Sequence, residues 1–187
     1  FVLRDPVPRA LSQYYYDLRC GLIEPNRTFK DVVTAPATSE EEHVIAMGFY
    51  DEQLERFLER FDREQILVLR SQDLRESTKS TVQHVAQFIG VDPHKVPDQY
   101  EQHNRTRYIQ KRSLYNAVRA VWTPIRGQVE AIFPNLADAL RTKVRNLVST
   151  NQRPDMSDAM RQRLSQIYAP HTEHLTQYVD LDLSHWT

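Results

Sequence analysis

Cysteine and glycine are scarce in this chain of 187 residues, and each scarcity excludes a class of protein. The single cysteine, Cys20, cannot form an internal disulfide, and no Cys/His pattern with metal-ligand spacing surrounds it. A lone cysteine is typical of a reducing compartment and predicts a cytoplasmic protein. The four glycines form no Gly-x4-Gly-Lys-Ser/Thr loop, so no phosphate-binding loop of that kind is present.

An excess of basic charge and a long apolar run are also lacking. The 24 Lys and Arg are balanced by 25 Asp and Glu, and no apolar stretch approaches the length of a membrane span. The seven histidines lack metal spacing, because His171 and His174 have no evident third ligand and are expected at the surface. We therefore expect no nucleic-acid partner, no membrane span and no metal.

Two short apolar segments predict strands of an α/β protein. Phe1 to Leu3 is followed by the breaker Arg4-Asp5-Pro6, and Ile66 to Leu69 is four apolar residues long, as in a strand buried on both faces of a parallel sheet. Helical spacing predicts helices after Pro6, at 47–61, 77–89, 113–132 and 135–148, after Ser157, and a last short one starting at Pro170. Residues 20–45 are expected to form a surface excursion with a short helix.

This order of elements predicts one α/β domain over residues 1–187, with a parallel sheet that is only partial in this chain and a largely helical C-terminal half. Two strands alone would leave exposed sheet edges. We expect the missing strands to precede Phe1.

The first candidate for chemistry is Arg4, at the carboxyl end of the first strand, where ligands of parallel sheets bind. Its planar guanidinium matches a phosphate, Ser12 in the following helix can add a hydroxyl, and the helix N-terminus adds partial positive charge. Spacing alone leaves a structural salt bridge between Arg4 and Asp5 equally open.

A second candidate is the basic segment that ends in Lys111 and Arg112 and also contains Arg105 and Arg107. It is either a solvated loop leading into a helix or a lid whose charge contacts a phosphate or an anionic acceptor.

Residues 1–15, Phe-Val-Leu-Arg-Asp-Pro-Val-Pro-Arg-Ala-Leu-Ser-Gln-Tyr-Tyr, closely resemble the segment of PAPS-dependent sulfotransferases that binds the 3′-phosphate of the cofactor. Arg4 and Ser12 fall on the two phosphate-contacting positions of that family, and Arg9 matches a residue common in the same helix. Three later stretches resemble the family in the same order: Gly48-Phe-Tyr50-x3-Leu54, Arg63 to Leu74, and Pro154 to Leu164 with the closing Asp182-Leu-Ser-x-Trp186.

The resemblance implies a P-loop NTPase-like fold and transfer of a sulfuryl group from PAPS to a hydroxyl or amine of a small-molecule or glycan acceptor, with PAP as product and no metal. It also implies that the loop for the 5′-phosphosulfate and the catalytic base precede the Arg4 strand. No Lys-x-Gly-Thr-Thr-like run occurs here, so the catalytic residues are expected upstream of Phe1 and these residues alone are expected to be inactive. Arg153 lies near the family's basic cofactor-binding loop, although the Lys-Gly-Arg run of that loop is not reproduced.

Two alternatives remain open on the sequence. One is a nucleotide-dependent kinase of the broader P-loop class, which a Walker loop upstream would indicate. The other is a non-catalytic helical interaction domain with the same fold, which an upstream segment without a lysine or a base would indicate.

Overall fold

The computed structural model describes residues 1–100, 108–109, 111–132, 135, 143, 147, 149–150, 152 and 154–186. The strands of these residues are β1 (Val2–Leu3), β2 (Leu69–Arg70), β3 (Tyr108–Ile109) and β4 (Ser149–Thr150). The helices are α1 (Pro6–Cys20), α2 (Phe29–Thr34), α3 (Ser39–Ala46), α4 (Tyr50–Leu58), α5 (Ser71–Glu76), α6 (Thr78–Phe88), α7 (Arg112–Ile132) and α8 (Asp158–Leu175). Short 3-10 turns lie at Arg63–Gln65 and Pro93–Lys95.

Strands β1 and β2 form the predicted parallel pair, with Val2 opposite Leu69 and Leu3 opposite Arg70. The strand expected at Ile66 to Leu69 is shorter and later than predicted, although Leu67 and Leu69 also exchange backbone hydrogen bonds with Phe1. Ile66 and Val68 are nevertheless buried, as the apolar run indicated. The pair places the end of β1, and with it Arg4, at the start of α1.

Two apolar clusters hold the helices around these strands. The first joins α1 to α8 and contains Val7, Ala10, Tyr14, Leu164 and Tyr168, among others. The second lies beneath the parallel strands and contains Leu3, Leu54, Val68, Leu183 and Trp186, among others. The C-terminal Asp-Leu-Ser-x-Trp stretch therefore packs under the strand that ends at Arg4.

Residues 20–45 are largely exposed, as expected of a surface excursion, but they form two helices where one short helix was expected. They contain α2 and α3, whose first turns are capped by the hydroxyls of Thr28 and Thr38. Val32 and Val44 are fully buried. Within the acidic run, Glu41 is also buried, because Arg27 donates to both of its carboxylate oxygens at 2.6 and 2.8 Å.

The helix predicted to start at Pro170 is instead the continuation of α8. A proline inside a helix removes one backbone hydrogen bond and crowds the preceding turn. Leu164 and Tyr168 before Pro170 and Leu175 after it are all buried, so packing on both sides keeps the helix continuous.

The helices predicted at 47–61, 113–132 and 135–148 agree with the structure to different extents. Helix α4 is shorter than the predicted 47–61, and Phe57 and Phe61 of its expected buried face are about half exposed. The helix expected at 113–132 is observed as α7. Of the predicted 135–148, only the described residues 135, 143 and 147 are seen, and these are helical.

Strands β3 and β4 form an antiparallel pair that the sequence did not predict, with Tyr108 opposite Thr150 and Ile109 opposite Ser149. Each strand is only two residues long, so neither carries the alternation that marks a strand in sequence. Ile109 joins the cluster around α1, which brings β3 against the helix that follows Arg4.

Candidate phosphate-binding site

The start of α1 is built by residues whose sequence signals are local. Asp5 caps the helix by accepting a 2.9 Å hydrogen bond from the N–H of Val7, and Pro6 occupies the first helical position, where a missing N–H costs little. Burial raises the pKa of the Asp5 carboxyl, an effect opposed by the Val7 bond and by the charges of Arg4, His185 and Arg161. The Asp5 carboxylate therefore stabilises the N-terminus of α1.

Arg4 and Ser12, the two residues singled out by the sequence, lie side by side. Nη1 of Arg4 donates to Oγ of Ser12 at 3.3 Å. The Ser12 hydroxyl donates to the carbonyl of Pro8 at 3.0 Å, one turn back in α1. A guanidinium and a hydroxyl therefore meet at the point where the strand ends and the helix begins.

The backbone of Arg4 is held from the side of α4. The partly buried side chain of Tyr50 donates a 2.9 Å hydrogen bond from its hydroxyl to the Arg4 carbonyl, and its ring packs against Trp186 at 6.0 Å between centroids. Burial raises the pKa of the Tyr50 hydroxyl, so it stays protonated as a donor at neutral pH.

Arg9 is directed elsewhere by its hydrogen bonds. Its Nη2 donates to the carbonyl of Val44 at 2.5 Å and to the hydroxyl of Tyr168 at 3.3 Å. Tyr168 in turn donates to the carbonyl of Ile45 at 3.0 Å. These hydrogen bonds tie Arg9 of α1 to the end of α3 and to α8, and they do not join it to Arg4 and Ser12.

The remaining candidates from the sequence are placed less completely. Lys111 is exposed just before α7, and Arg112 is the first residue of that helix, with a side chain outside the description. Arg105, Arg107 and Arg153 lie outside the described residues.

Tyr108 is a residue of the site that the sequence did not reveal. Its hydroxyl lies 3.4 Å from Oγ of Ser12, and its ring meets Tyr15 edge to face, with 5.2 Å between centroids. Ser12 and Tyr108 are 96 residues apart in the chain, so no local sequence pattern could connect them.

A second polar cluster, also missed, joins α4 to α8. The buried carboxylate of Asp51 contacts Nδ1 of His171 at 3.0 Å and Nδ1 of His174 at 3.2 Å. His171 stacks on Phe49 at 3.9 Å between centroids. The two histidines therefore contact the interface of α4 and α8 while their side chains remain 24% and 41% exposed, so the expected surface position is seen only in part.

In the part of the chain that the structure describes, no group of three or more His, Cys, Asp or Glu is arranged to hold a metal ion. Among the same described residues, no helix has the length and apolar character needed to cross a membrane.

Similarity to known proteins extends across the chain. The bovine bifunctional heparan sulfate N-deacetylase/N-sulfotransferase 2 is 30% identical over an alignment of 99 residues that covers 49% of this chain and 11% of that protein. The human protein of the same name is 27% identical over 99 residues, with the same shares.

The crystal structure of a sulfotransferase from Alicyclobacillus acidocaldarius matches with a TM-score of 0.62 and 20% identity, over 99% of this chain and 55% of that chain. This likeness shows a shared fold, and the chain spans about half the length of that solved structure. The family model described as the sulfotransferase domain matches residues 1–178. The chain therefore belongs to the sulfotransferase family.

Proposed function

We propose that the intact protein is a PAPS-dependent sulfotransferase, which moves a sulfuryl group from PAPS to a hydroxyl or amine of its acceptor and releases PAP. The observation that carries the proposal is the 3.3 Å contact between Nη1 of Arg4 and Oγ of Ser12 at the junction of β1 and α1. On this proposal the two groups bind the 3′-phosphate of the nucleotide.

The chemistry of the pair suits a phosphate. The guanidinium supplies a fixed positive charge and N–H donors in one plane, and charge-assisted hydrogen bonds to phosphate are stronger than neutral ones. The Ser12 hydroxyl can turn its proton from the Pro8 carbonyl toward a phosphate oxygen. The N-terminus of α1 adds partial positive charge at the same place.

The proposed reaction assigns a positioning role to these residues. In the transfer, the bond between sulfur and the 5′-phosphate oxygen breaks, a bond from sulfur to the acceptor oxygen or nitrogen forms, and a base takes the acceptor proton. The 3′-phosphate does not react. Arg4 and Ser12 therefore hold and orient the donor, which lowers the entropic cost of aligning it with the acceptor.

The proposal includes a P-loop-like parallel sheet, of which β1 and β2 are part, and a 5′-phosphosulfate loop and base carried by residues outside this chain. It also includes a glycan or small-molecule acceptor. Support for a glycan amine comes from the heparan sulfate N-deacetylase/N-sulfotransferase relatives, which match about half of this chain. The unpaired, exposed thiol of Cys20 is the support for a cytoplasmic location.

The test is calorimetry on the intact protein with adenosine 3′,5′-bisphosphate and adenosine 5′-monophosphate. We expect clear preference for the bisphosphate, and we expect Arg4→Ala to weaken bisphosphate binding roughly 30- to 150-fold, the worth of about 2–3 kcal/mol for hydrogen bonds to a charged group. Binding of the monophosphate should change little.

Arg19→Ala is the matched control, because Arg19 is exposed near the end of the same helix and its loss changes the net charge equally. Equal affinity of the unsubstituted protein for the two nucleotides would overturn the proposal. So would equal losses of bisphosphate affinity in Arg4→Ala and Arg19→Ala.

A further inference from the structure

The hydroxyl of Tyr108 completes a row of three donors with Arg4 and Ser12. Oγ of Ser12 lies 3.3 Å from Nη1 of Arg4 and 3.4 Å from the Tyr108 hydroxyl. The row runs from the end of β1, through the second turn of α1, to β3. It therefore joins the antiparallel pair β3 and β4 to the candidate phosphate site.

The protons of this row can be assigned by counting. A serine hydroxyl has one proton, and that of Ser12 is directed to the Pro8 carbonyl at 3.0 Å. Arg4 has only donors, so it donates to Ser12. With the Ser12 proton already used, Tyr108 must be the donor in its contact with Ser12.

The hydrogen bond from Tyr108 to Ser12 is long. Its 3.4 Å separation from Ser12 exceeds the roughly 2.5–3.0 Å of a good hydroxyl–hydroxyl hydrogen bond. A phosphate oxygen is a better acceptor, because bonds to an anionic oxygen are shorter and stronger. A phosphate bound by Arg4 and Ser12 would therefore draw the Tyr108 proton toward itself.

The position of Tyr108 is set before any ligand binds. The residue is only 5% exposed, its ring meets Tyr15 of α1 edge to face, and its backbone pairs with Thr150. A buried ring held on two sides loses little further freedom when its hydroxyl makes a new bond, which is the condition for a strong contact.

We infer that Tyr108 is a third donor to the phosphate held by Arg4 and Ser12, and that it contributes to selection of a nucleotide with a 3′-phosphate. The inference rests on the proposed function. It gives β3 and β4 a part in recognition of the nucleotide, beyond packing against α1.

The test is Tyr108→Phe in the intact protein, which keeps the buried ring and removes only the hydroxyl. We expect binding of adenosine 3′,5′-bisphosphate to weaken about tenfold or more, as for the loss of one hydrogen bond to a charged group. Binding of adenosine 5′-monophosphate should stay within about twofold of its original value, since a group that contacts only the 3′-phosphate does not affect it. The preference for the bisphosphate should therefore fall by the same tenfold.

The matched control is Tyr16→Phe, because Tyr16 is half exposed on α1 and its hydroxyl lies outside the row. Retained monophosphate affinity also reports that Tyr108→Phe is folded. If the unsubstituted protein prefers the bisphosphate and Tyr108→Phe keeps that preference, the inference falls and the proposed function stands. Equal losses for both nucleotides would show a purely structural hydroxyl and would likewise overturn the inference. If the unsubstituted protein shows no preference, the proposed function and the inference fall together.

Discussion

The hydroxyl of Tyr50 donates a 2.9 Å hydrogen bond to the carbonyl oxygen of Arg4, although the two residues are 46 positions apart. The bond fixes the backbone at the end of β1 from the first residue of α4. It links the apolar cluster under the strands, against which Tyr50 packs, to the residue whose side chain contacts Ser12.

Tyr50→Phe should therefore lower the free energy of unfolding by about 1 kcal/mol, because a partly buried carbonyl loses its donor while the ring and its packing remain. Urea denaturation monitored by circular dichroism measures this loss. Tyr16→Phe, which removes an exposed hydroxyl, should change the unfolding free energy by less than about 0.5 kcal/mol. Equal effects of the two substitutions would show that the Tyr50 bond contributes nothing beyond a surface hydroxyl.

This bond gives a physical account of the Gly48-x-Tyr50 pattern that the sequence shared with its family. The spacing from Gly48 to Leu54 predicted a helix with an apolar face, and that helix is present as α4, with Leu54 buried. No local pattern could show that the tyrosine hydroxyl reaches back to Arg4. The pattern could be recognised in the sequence, whereas the role of Tyr50 depends on a contact between distant segments.

The same distinction separates what could be predicted at the site from what could not. Arg4, the Asp5 cap, Pro6 and Ser12 follow one another within twelve residues, so strand, turn and helix signals placed them together. Tyr108 reaches Ser12 through the pairing of two-residue strands. Asp51 reaches His171 and His174 through the packing of α4 on α8. Contacts of this kind depend on the assembled core and leave no local signal.

The buried Glu41 carboxylate should make stability depend on pH. The hydrogen bonds from Arg27 lower the pKa of Glu41 from its ordinary value of 4.5, with a further contribution from the N–H of Ala37 and an opposing one from burial. A carboxyl with a lower pKa in the folded state stabilises the fold above its unfolded pKa, and this contribution is lost as the pH falls through the folded pKa. The stabilising contribution of Glu41 is therefore lost over a pH range that begins near 4.5 and extends to lower pH.

Glu41→Gln removes this ionisation and should destabilise the protein at pH 7. The difference in unfolding free energy between the original protein and Glu41→Gln should be constant above about pH 5.5 and should shrink as the pH falls below 4.5. Denaturation at several pH values measures it. Glu42→Gln is the control, because Glu42 is exposed on the same helix, and its small effect should not vary in this way. A Glu41→Gln difference that is the same at pH 7 and pH 3.5 would contradict the assignment.

The glycine at position 48 lies against Pro6 at the start of α1 and Tyr168 in the middle of α8. A Cβ atom there would lie 2.6 Å from Cε1 of Tyr168 and 3.1 Å from Cβ of Pro6. The Tyr168 ring cannot easily move away, because it is fully buried and its hydroxyl donates to the Ile45 carbonyl. Gly48→Ala should therefore overpack this junction and lower the free energy of unfolding by about 1–3 kcal/mol.

Gly127→Ala is the matched substitution with the opposite expected sign. A Cβ at Gly127 meets nothing within 4 Å, and the residue lies inside α7, where alanine is favoured over glycine by roughly 0.5–1 kcal/mol. Thermal unfolding of the two variants should therefore shift in opposite directions. Because Pro6 begins the helix that carries Ser12, Gly48→Ala should also weaken binding of adenosine 3′,5′-bisphosphate, and Gly127→Ala should not. Equal stabilisation by both substitutions would mean that the junction yields to a methyl group and that Gly48 has no packing role.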